Sequence, residues 1–367
     1  MKLLIMTGMV IGLPLLGVWV AGLPLARYLE FPPRSIYVTH APFSWLMFLL
    51  TMAFVGAVVV PFLLRIRCLR SAGPSFILHP SSFIPASSPF PWWGRFGLWL
   101  CAALWIFAWN RFPGFERLQP HTFSPLWFSY ILVINAITWR RTGRCLMLDH
   151  PGRFAALFAL SAGFWWLYEY LNRFVQNWRY IGADEFSAGE YFCYATLSYS
   201  TVLPAVLSTR QLLATWQSLS RPFSNWVSLD VQRSKRLVIP LLIAAGAGLV
   251  AIGVWPEHLY PLVWVSPLLI ILLLQTLSGE PSLLTDLARG DWRMVVTAAL
   301  AALVCGFFWE MWNYRSQAKW IYTIPYTGRF HLFEMPILGY AGYLPFGLTC
   351  VAVADLLAPG KEAGRGV

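Results

Sequence analysis

The chain contains GFWWLYEYLN at residues 163–172 and GFFWEMWN at residues 306–313. Both stretches have a glycine, a group of aromatic residues and then Glu-x-x-Asn near the end of an apolar segment, and both are followed by Trp-x-Tyr. An ionisable residue at the edge of a membrane segment is by default a candidate for function. Because the pattern occurs twice in matching surroundings, it predicts a duplicated membrane fold with two related polar sites.

The composition of the chain is typical of a membrane protein. Hydrophobic residues make up 58% of it and charged residues 12%, with a mean hydropathy of +0.59, whereas a soluble domain carries roughly a quarter charged residues. Stretches without Asp, Glu, Lys or Arg reach, or approach with flanking polar residues, the roughly 20 residues of a membrane-spanning helix. The ten predicted spans are 3–26, 35–64, 96–110, 118–139, 154–168, 191–209, 237–256, 258–279, 294–309 and 335–354.

The distribution of Lys and Arg residues indicates the orientation. On the ten-helix prediction, most of them lie at the N-terminus, in the even-numbered loops and in the C-terminal tail. By the positive-inside rule both termini are then cytoplasmic, in the inner membrane. The net charge of +11 reflects this topology and contact with anionic lipid headgroups, and no reader motif indicates nucleic-acid binding. A signal peptide is the alternative for the first segment, but its length favours an uncleaved helix.

The ten segments divide into a leading pair and two blocks of four. Each block has an even number of helices, so both copies share one orientation and the axis that relates them lies along the membrane normal. The fold class predicted is an all-α polytopic membrane protein with two parallel four-helix repeats. Its parts are an N-terminal helix pair at 1–64, a Pro/Ser-rich cytoplasmic linker at 65–93, repeat 1 at 94–209, a basic cytoplasmic linker at 210–236, repeat 2 at 237–357 and a cytoplasmic tail at 358–367.

The repeated Glu-x-x-Asn pattern is the candidate site. Residues i and i+3 share a helix face, so Glu169 with Asn172, and Glu310 with Asn313, can present a carboxyl group and an amide to one ligand. A carboxyl group shielded from water can serve as a general acid. The glutamates are therefore candidate catalytic residues and the asparagines candidate substrate ligands. The alternative is structural, in which each pair fastens the following loop or meets a nearby arginine at headgroup level.

Aromatic residues surround both pairs and make up 17% of the chain. Trp and Tyr gather at membrane interfaces for ordinary reasons, yet their faces also stabilise cations, by roughly 2 kcal/mol or more when desolvated. An acid beside such a lining suits protonation of an alkene and stabilisation of the resulting carbocation. The same lining would hold a quinone or polyene without chemistry. The candidate substrate-binding aromatic residues are Trp166, Trp178, Tyr180, Trp309, Trp320 and Tyr322.

The segment 309–336 reads W-E-x-x-N, then W-x-Y, then F-E-M-P, and an aromatic helix follows. This order resembles the membrane-integral lycopene cyclase domain and the related carotenoid hydratases. Those proteins carry repeated modules of an acidic residue, W-x-Y and a proline, and members of the group protonate or hydrate isoprenoid polyenes. The resemblance implies a cyclase-like isomerase or a hydratase that acts on an isoprenoid or carotenoid-like lipid.

Two departures from that family pattern concern its acidic residues. The cyclase pattern places an acidic pair just after its proline, whereas Pro336 is followed by Ile-Leu-Gly-Tyr. The first block has no matching proline, and its equivalent stretch is FSAGE at 186–190. Glu334 and Glu190 are the nearest stand-ins for the missing acids, and both are candidate substrate-binding residues.

Three functions are compatible with these features. The first is an enzyme in which Glu169 and Glu310 act on an isoprenoid by acid chemistry. The second is a transporter or flippase for a lipid or small molecule, and the third is a non-catalytic subunit of a membrane assembly with membrane-protein partners. Isolated histidines and scattered cysteines give no metal-ligand spacing, so neither a metal nor another cofactor is expected. The expected partner is a membrane lipid or isoprenoid.

Overall fold

The computed structural model describes residues 2–71, 89–231 and 235–357, which are mostly helical. Much of the predicted linker at 65–93, part of the one at 210–236 and the tail at 358–367 lie outside the described residues. The helices are α1 (Lys2–Val20), α2 (Trp45–Ser71), α3 (Trp92–Trp109), α4 (Phe123–Thr142), α5 (Leu146–Asp149), α6 (Pro151–Val175), α7 (Ala188–Tyr199), α8 (Val202–Ala214), α9 (Gln217–Ser220), α10 (Lys235–Ile252), α11 (Pro256–Leu259), α12 (Leu262–Leu277), α13 (Leu283–Ala288), α14 (Arg293–Tyr314) and α15 (Tyr343–Ala354). The short strands are β1 (Trp178–Ile181), β2 (Lys319–Tyr322), β3 (His331–Leu332) and β4 (Met335–Pro336).

Some of these helices are long and apolar enough to cross a membrane, which agrees with the membrane class predicted from composition. They are Trp45–Cys68, Pro151–Val175, Arg293–Tyr314 and Ile337–Leu357. Shorter apolar helices occupy Leu4–Val20, Arg236–Ile252 and Leu262–Leu277. The count of ten spans stays a prediction, because several predicted spans form helices that are shorter or interrupted.

The second apolar stretch becomes helical later than its composition predicts. The predicted span starts at residue 35, whereas α2 begins at Trp45. Pro42 disfavours a helix in the residues just before it. Instead, the backbone N–H groups of Tyr37 and Val38 donate to the side-chain oxygen Oε1 of Gln176, at 2.9 and 2.8 Å. The stretch before α2 is therefore fastened to the end of α6.

The segment predicted to span 191–209 is a broken helix. α7 ends at Tyr199, and α8 follows after a short turn. Ser161 of α6 bridges the break, because its hydroxyl donates to the Tyr199 carbonyl at 2.6 Å and accepts from the Leu203 N–H at 3.0 Å. A serine of a neighbouring helix thus satisfies backbone groups that the break leaves free. The last segment changes its helix type without a break, since a 3₁₀ turn leads directly into α15.

The main elements follow a similar order in the two groups of helices on either side of the linker at 210–236. The first group has α3, α4, α5, α6, β1 and the broken helix α7–α8; the second has α10, α12, α13, α14, β2 and the 3₁₀ turn with α15, and it also contains α11, β3 and β4, which have no counterpart in the first. Within the groups, α3 packs on α4 and α10 packs on α12. Between them, α14 packs on α8, and residues of both groups form the hydrophobic core.

Strands β1 and β2 join the two groups as an antiparallel pair. Trp178 lies opposite Tyr322, and Tyr180 lies opposite Trp320. In each pair, the Trp of one motif lies opposite the Tyr of the other motif. This reciprocal pairing is the property of a contact across a twofold axis. The two motifs noted in the sequence therefore meet each other at the junction between the groups.

Candidate functional site

Glu169 is a buried acceptor for three side chains. It lies on α6 one turn after Trp165, whose indole Nε1–H donates to its Oε1 at 3.0 Å. From β1, the Trp178 indole donates to the same oxygen at 3.1 Å and the Tyr180 hydroxyl at 2.6 Å. Burial, together with the adjacent glutamate, raises the pKa of Tyr180 well above its ordinary value, so this hydroxyl stays protonated. The Trp-x-Tyr motif thus supplies two of the three donors.

Glu310 of α14 is fully buried, at 0% exposure, and two tyrosines hold it. Its Oε1 accepts from the hydroxyls of Tyr322 and Tyr343, both at 2.7 Å. The Trp320 indole donates to the Tyr322 hydroxyl at 2.9 Å. Burial, again with the adjacent glutamate, raises the pKa of Tyr322 well above its ordinary value. Oε2 of Glu310 has no hydrogen-bond partner among the described residues, so one carboxyl oxygen is held and the other is not.

Asn172 and Asn313 perform the same task in the two copies. The Asn172 Nδ2 donates to the Trp178 carbonyl at 2.8 Å, and its Oδ1 accepts from the Asn177 N–H at 2.9 Å. The Asn313 Nδ2 donates to the Trp320 carbonyl at 2.7 Å, and its Oδ1 accepts from the Trp320 N–H at 2.9 Å. Each amide therefore fixes the backbone of the strand that follows its helix. This is the fastening role weighed as the alternative for the Glu-x-x-Asn pattern.

A cavity of about 340 Å³ lies where the two groups of helices meet. The two glutamates and the two asparagines do not line it. The glutamates lie behind its wall and are joined to it by the hydroxyl and indole donors of lining residues. Aromatic side chains of both groups dominate the lining, which includes Trp165, Trp178, Tyr180, Tyr191, Tyr199, Trp264, Trp309, Trp320, Tyr322 and Tyr343.

One difference between the two glutamate clusters lies four residues before each glutamate. When the copies are aligned on the glutamates, Trp165 corresponds to Gly306. The ring of Tyr343 lies against Gly306, so an added Cβ would be 2.4 Å from the Tyr343 Cε2 atom. Tyr343 therefore reaches Glu310 directly. In the first copy, Trp165 fills the equivalent place, and the Tyr199 hydroxyl donates to the Tyr180 hydroxyl at 3.1 Å.

Trp166 and Glu190, which are also predicted to bind substrate, do not line the cavity either. Trp166 packs on Phe192, with ring centroids 5.6 Å apart, and its indole donates to the Thr196 hydroxyl at 3.0 Å. Its neighbour Trp165 faces the cavity instead, because adjacent helical residues lie on different faces. The exposed Glu190 completes a capping box with Ser187 at the start of α7, which explains the acid at this position.

Glu334, the stand-in acid of the second copy, lies beside the cavity. Its Oε1 accepts a hydrogen bond from the Lys319 ammonium group. The same ammonium donates to the Tyr314 carbonyl at 3.2 Å. Lys319 lines the cavity, whereas Glu334 does not. The acid therefore contributes to the site through a lysine that the motif analysis left out.

Several lining residues were missed by the sequence analysis. Tyr199 lies at the break between α7 and α8, and Tyr343 lies where the 3₁₀ turn passes into α15; no local pattern marks either. Trp264 ends the PLVW stretch at 261–264, whose relationship to PLWF at 125–128 is visible in the sequence. The repeat could have identified Trp264, since both stretches end in an aromatic residue at the start of the second long helix of their group.

Comparison with known proteins gives no family for this chain. No protein-family model, curated protein or solved structure matches it. Among the described residues, no group of three or more His, Cys, Asp and Glu side chains is placed to hold a metal ion. The aromatic cavity and its two buried glutamates are therefore the features on which a functional proposal has to rest.

Proposed function

We propose that this protein binds the unsaturated end of an isoprenoid-like lipid in the aromatic cavity and transforms it by acid chemistry. One observation carries the proposal: two buried carboxyl groups, Glu169 and Glu310, reach a single aromatic cavity through tyrosine hydroxyls. Such an arrangement offers proton donors next to surfaces that stabilise positive charge. The resemblance to the lycopene cyclase group implies the same class of substrate.

The size of the cavity limits what enters it. Pockets for small ligands run from roughly 300 to 1,000 Å³, and this one has about 340 Å³. It therefore takes a ring or one branched end of an isoprenoid, while the rest of a long chain remains outside. A membrane protein with apolar helices gives such a chain a place in the surrounding lipid.

The chemistry follows from the hydrogen bonds on Glu310. In the described geometry the tyrosine hydroxyls donate to Glu310, so the reaction begins when one of them turns to the ligand and accepts from the protonated carboxyl group. This tyrosine gives its proton to one carbon of a C=C bond as it takes the proton of the carboxyl group, and the alkene electron pair becomes the new C–H bond. The adjacent carbon is then a cation, which the faces of Trp309 and Trp320 stabilise. A neighbouring carbon next loses a proton to the tyrosine oxygen, and the tyrosine passes its own proton to the carboxylate, which restores the acid. The net reaction is an isomerisation, with ring closure where a second alkene attacks the cation.

Glu310 is the better candidate for the acid, and Glu169 for a fixed negative charge. One oxygen of Glu310 has no partner in the described part of the chain and can carry a proton. Three donors converge on one oxygen of Glu169, two of them indoles. These donors hold the Glu169 carboxylate in a fixed orientation behind the aromatic wall, and its negative charge then stabilises the developing cation.

We also propose that the two groups arose by duplication and lie side by side about an axis along the membrane normal. The shared order of elements and the exchange property of the β1–β2 register support this relationship. Ten spans, an inner-membrane location and cytoplasmic termini complete the proposed topology, for which the arginine-rich loops are the support.

The test uses the purified protein in detergent with an acyclic polyene such as lycopene in deuterated buffer. The wild type is expected to yield an isomer of the polyene in which solvent deuterium has replaced hydrogen. Mass spectrometry detects the resulting increase in mass. Glu310→Gln should abolish the product while retaining bound polyene. Turnover that survives this substitution would disprove the role of the acid. If extracts of the protein contain only bulk phospholipid and added polyene does not bind, the protein is a scaffold instead.

A further inference from the structure

The cavity has one charged side chain in an otherwise uncharged aromatic wall. Lys319 is the one Lys, Arg, Asp or Glu among the described residues that line it. Its side chain is 22% exposed, and it lies at the start of β2, directly before the Trp-x-Tyr motif. A lysine held beside aromatic rings needs an acceptor for each of its donors, since an unpaired donor in apolar surroundings is costly.

A count of donors leaves one N–H of Lys319 for a ligand. An ammonium group has three N–H donors and no acceptor. One of them donates to Oε1 of Glu334 and another to the Tyr314 carbonyl. The ammonium also lies 5.9 Å from the centroid of the Tyr314 ring, and no third hydrogen-bond acceptor for it occurs among the described residues. Because Lys319 lines the cavity and its side chain is partly exposed, the third donor is free for a ligand or for water.

The charge of Lys319 is already balanced. Glu334 forms an ion pair with it, and the two side chains are about equally exposed, at 22% and 21%. An anionic ligand at the third donor would also approach the Glu334 carboxylate. A neutral acceptor such as a hydroxyl or carbonyl oxygen takes the hydrogen bond without that repulsion.

The opposite group of helices places no charged donor on the cavity. Asn177 precedes Trp178 as Lys319 precedes Trp320, but Asn177 is buried and does not line the cavity. This group does place uncharged donors there, among them the Tyr191 hydroxyl, which has no hydrogen-bond partner in the described part of the chain. The two ends of the arrangement therefore differ in charge, and the oxygen of a ligand meets a charged donor only at the Lys319 end.

We infer that the lipid bound in this cavity carries a neutral oxygen, as a hydroxyl or carbonyl group, and that Lys319 donates a hydrogen bond to it. This inference rests on the proposed function, because it specifies the ligand of the same cavity. Lys319 acts here as a residue that selects and orients the ligand, and Glu334 keeps it from selecting an anion.

Three retinoids with the same isoprenoid skeleton test the inference. Retinol carries a hydroxyl, its deoxygenated hydrocarbon axerophtene carries no oxygen, and retinoic acid carries a carboxylate. Retinoids absorb where tryptophan emits, so quenching of the cavity tryptophans reports binding. For the wild type we expect retinol to bind about tenfold more tightly than axerophtene, as a hydrogen bond from a charged donor predicts, and more tightly than retinoic acid.

Variants assign the preference to the lysine. Lys319→Met should lower the affinity for retinol to that for axerophtene and leave the latter unchanged, while Lys319→Arg should keep the preference. Glu334→Gln should increase the affinity for retinoic acid, because it leaves the ammonium charge unbalanced. Arg315→Met, at an exposed residue that does not line the cavity, is the matched control and should change nothing.

Each other outcome is decisive. If Lys319→Met weakens retinol and axerophtene equally, the lysine has only a structural role and the inference is wrong. If the wild type binds all retinoids but does not favour retinol over axerophtene, the inference fails while the proposed binding function stands. If the wild type instead prefers retinoic acid and Lys319→Met removes that preference, the ligand is anionic and the inference of a neutral oxygen is wrong. If no retinoid quenches the wild type, the proposed function fails as well.

Discussion

Gly306 lies directly beneath the ring of Tyr343, with no room for a Cβ atom between them. This contact lets the Tyr343 hydroxyl reach Glu310 at 2.7 Å from another helix. The first copy has Trp165 at the equivalent position and no such contact. One small residue thus decides that the second glutamate, and not the first, has two tyrosine hydroxyls bonded directly to it.

Gly306→Ala should separate Tyr343 from Glu310. The added methyl group would press on the ring, and overpacking of this kind costs about 1–3 kcal/mol of unfolding free energy. Gly163→Ala is the matched control, because an added Cβ there meets no atom within 4 Å and alanine favours the helix. Denaturant unfolding in detergent, followed by tryptophan fluorescence, measures both. Equal stabilities of the two variants would contradict the contact.

Asn313→Ala should destabilise the protein by about 1–2 kcal/mol, because it leaves the half-buried N–H and carbonyl groups of Trp320 without their partners. Asn172→Ala should behave alike in the first copy. Asn110→Ala is a control at the exposed end of α3, where its amide donates only to the Ile106 carbonyl. Thermal unfolding by circular dichroism compares the three, and a control as damaging as Asn313→Ala would refute the fastening role.

Tyr322→Phe should reduce turnover more than Tyr180→Phe. Removing the first hydroxyl leaves Glu310 with a single donor, whereas removing the second leaves Glu169 with its two indole donors. If Glu310 is the acid, we expect a loss of about 100-fold for Tyr322→Phe, the lower end of the contribution of acid–base catalysis. Rates of deuterium incorporation into the polyene measure it. A larger loss from Tyr180→Phe would reverse the assignment of the two glutamates.

Acid should destabilise the segment before α2 through His40. Burial lowers the pKa of this histidine, whose Nε2–H donates to the Val175 carbonyl at 3.0 Å. The folded state therefore favours neutral His40, and its contribution to stability is complete above the unfolded pKa of about 6.5 and declines as pH falls below it. Unfolding free energies between pH 7.5 and 5 measure the slope. His40→Gln, which keeps a neutral donor, should show a smaller slope; an unchanged slope would exclude His40 as its source.

Composition and residue spacing predicted a helical membrane protein and the approximate positions of several helices, but not the residues at which those helices begin and end. An apolar stretch without charged residues indicates that a helix is present, but it does not show where within the stretch the helix begins, ends or breaks. Hence the predicted span at 35–64 includes residues ahead of Pro42 that are not helical, and the one at 191–209 contains a break. Such breaks depend on a partner from another helix, here the Ser161 hydroxyl, which sequence periodicity along one segment does not reveal.

The site was predictable in its polar residues and less so in its aromatic ones. Helical spacing put Glu169 and Asn172 on one face, and their shared contacts with the strand that follows agree with that spacing. The sequence does not show which of the adjacent residues Trp165 and Trp166 faces the cavity, because a helix that is apolar on all sides has no polar face to indicate its orientation. Tyr343 reaches Glu310 from a distant segment, and only the packing of two helices brings them together.

The antiparallel pairing of β1 and β2 restricts how the cavity can open. Four residue pairs tie one group of helices to the other beside the cavity, from Trp178–Tyr322 to Ile181–Lys319. The packing of α14 on α8 and the shared core join the same two groups. Opening the cavity by parting the groups would break all of these contacts together, so exchange of a bound molecule is expected to leave the β1–β2 pairing intact.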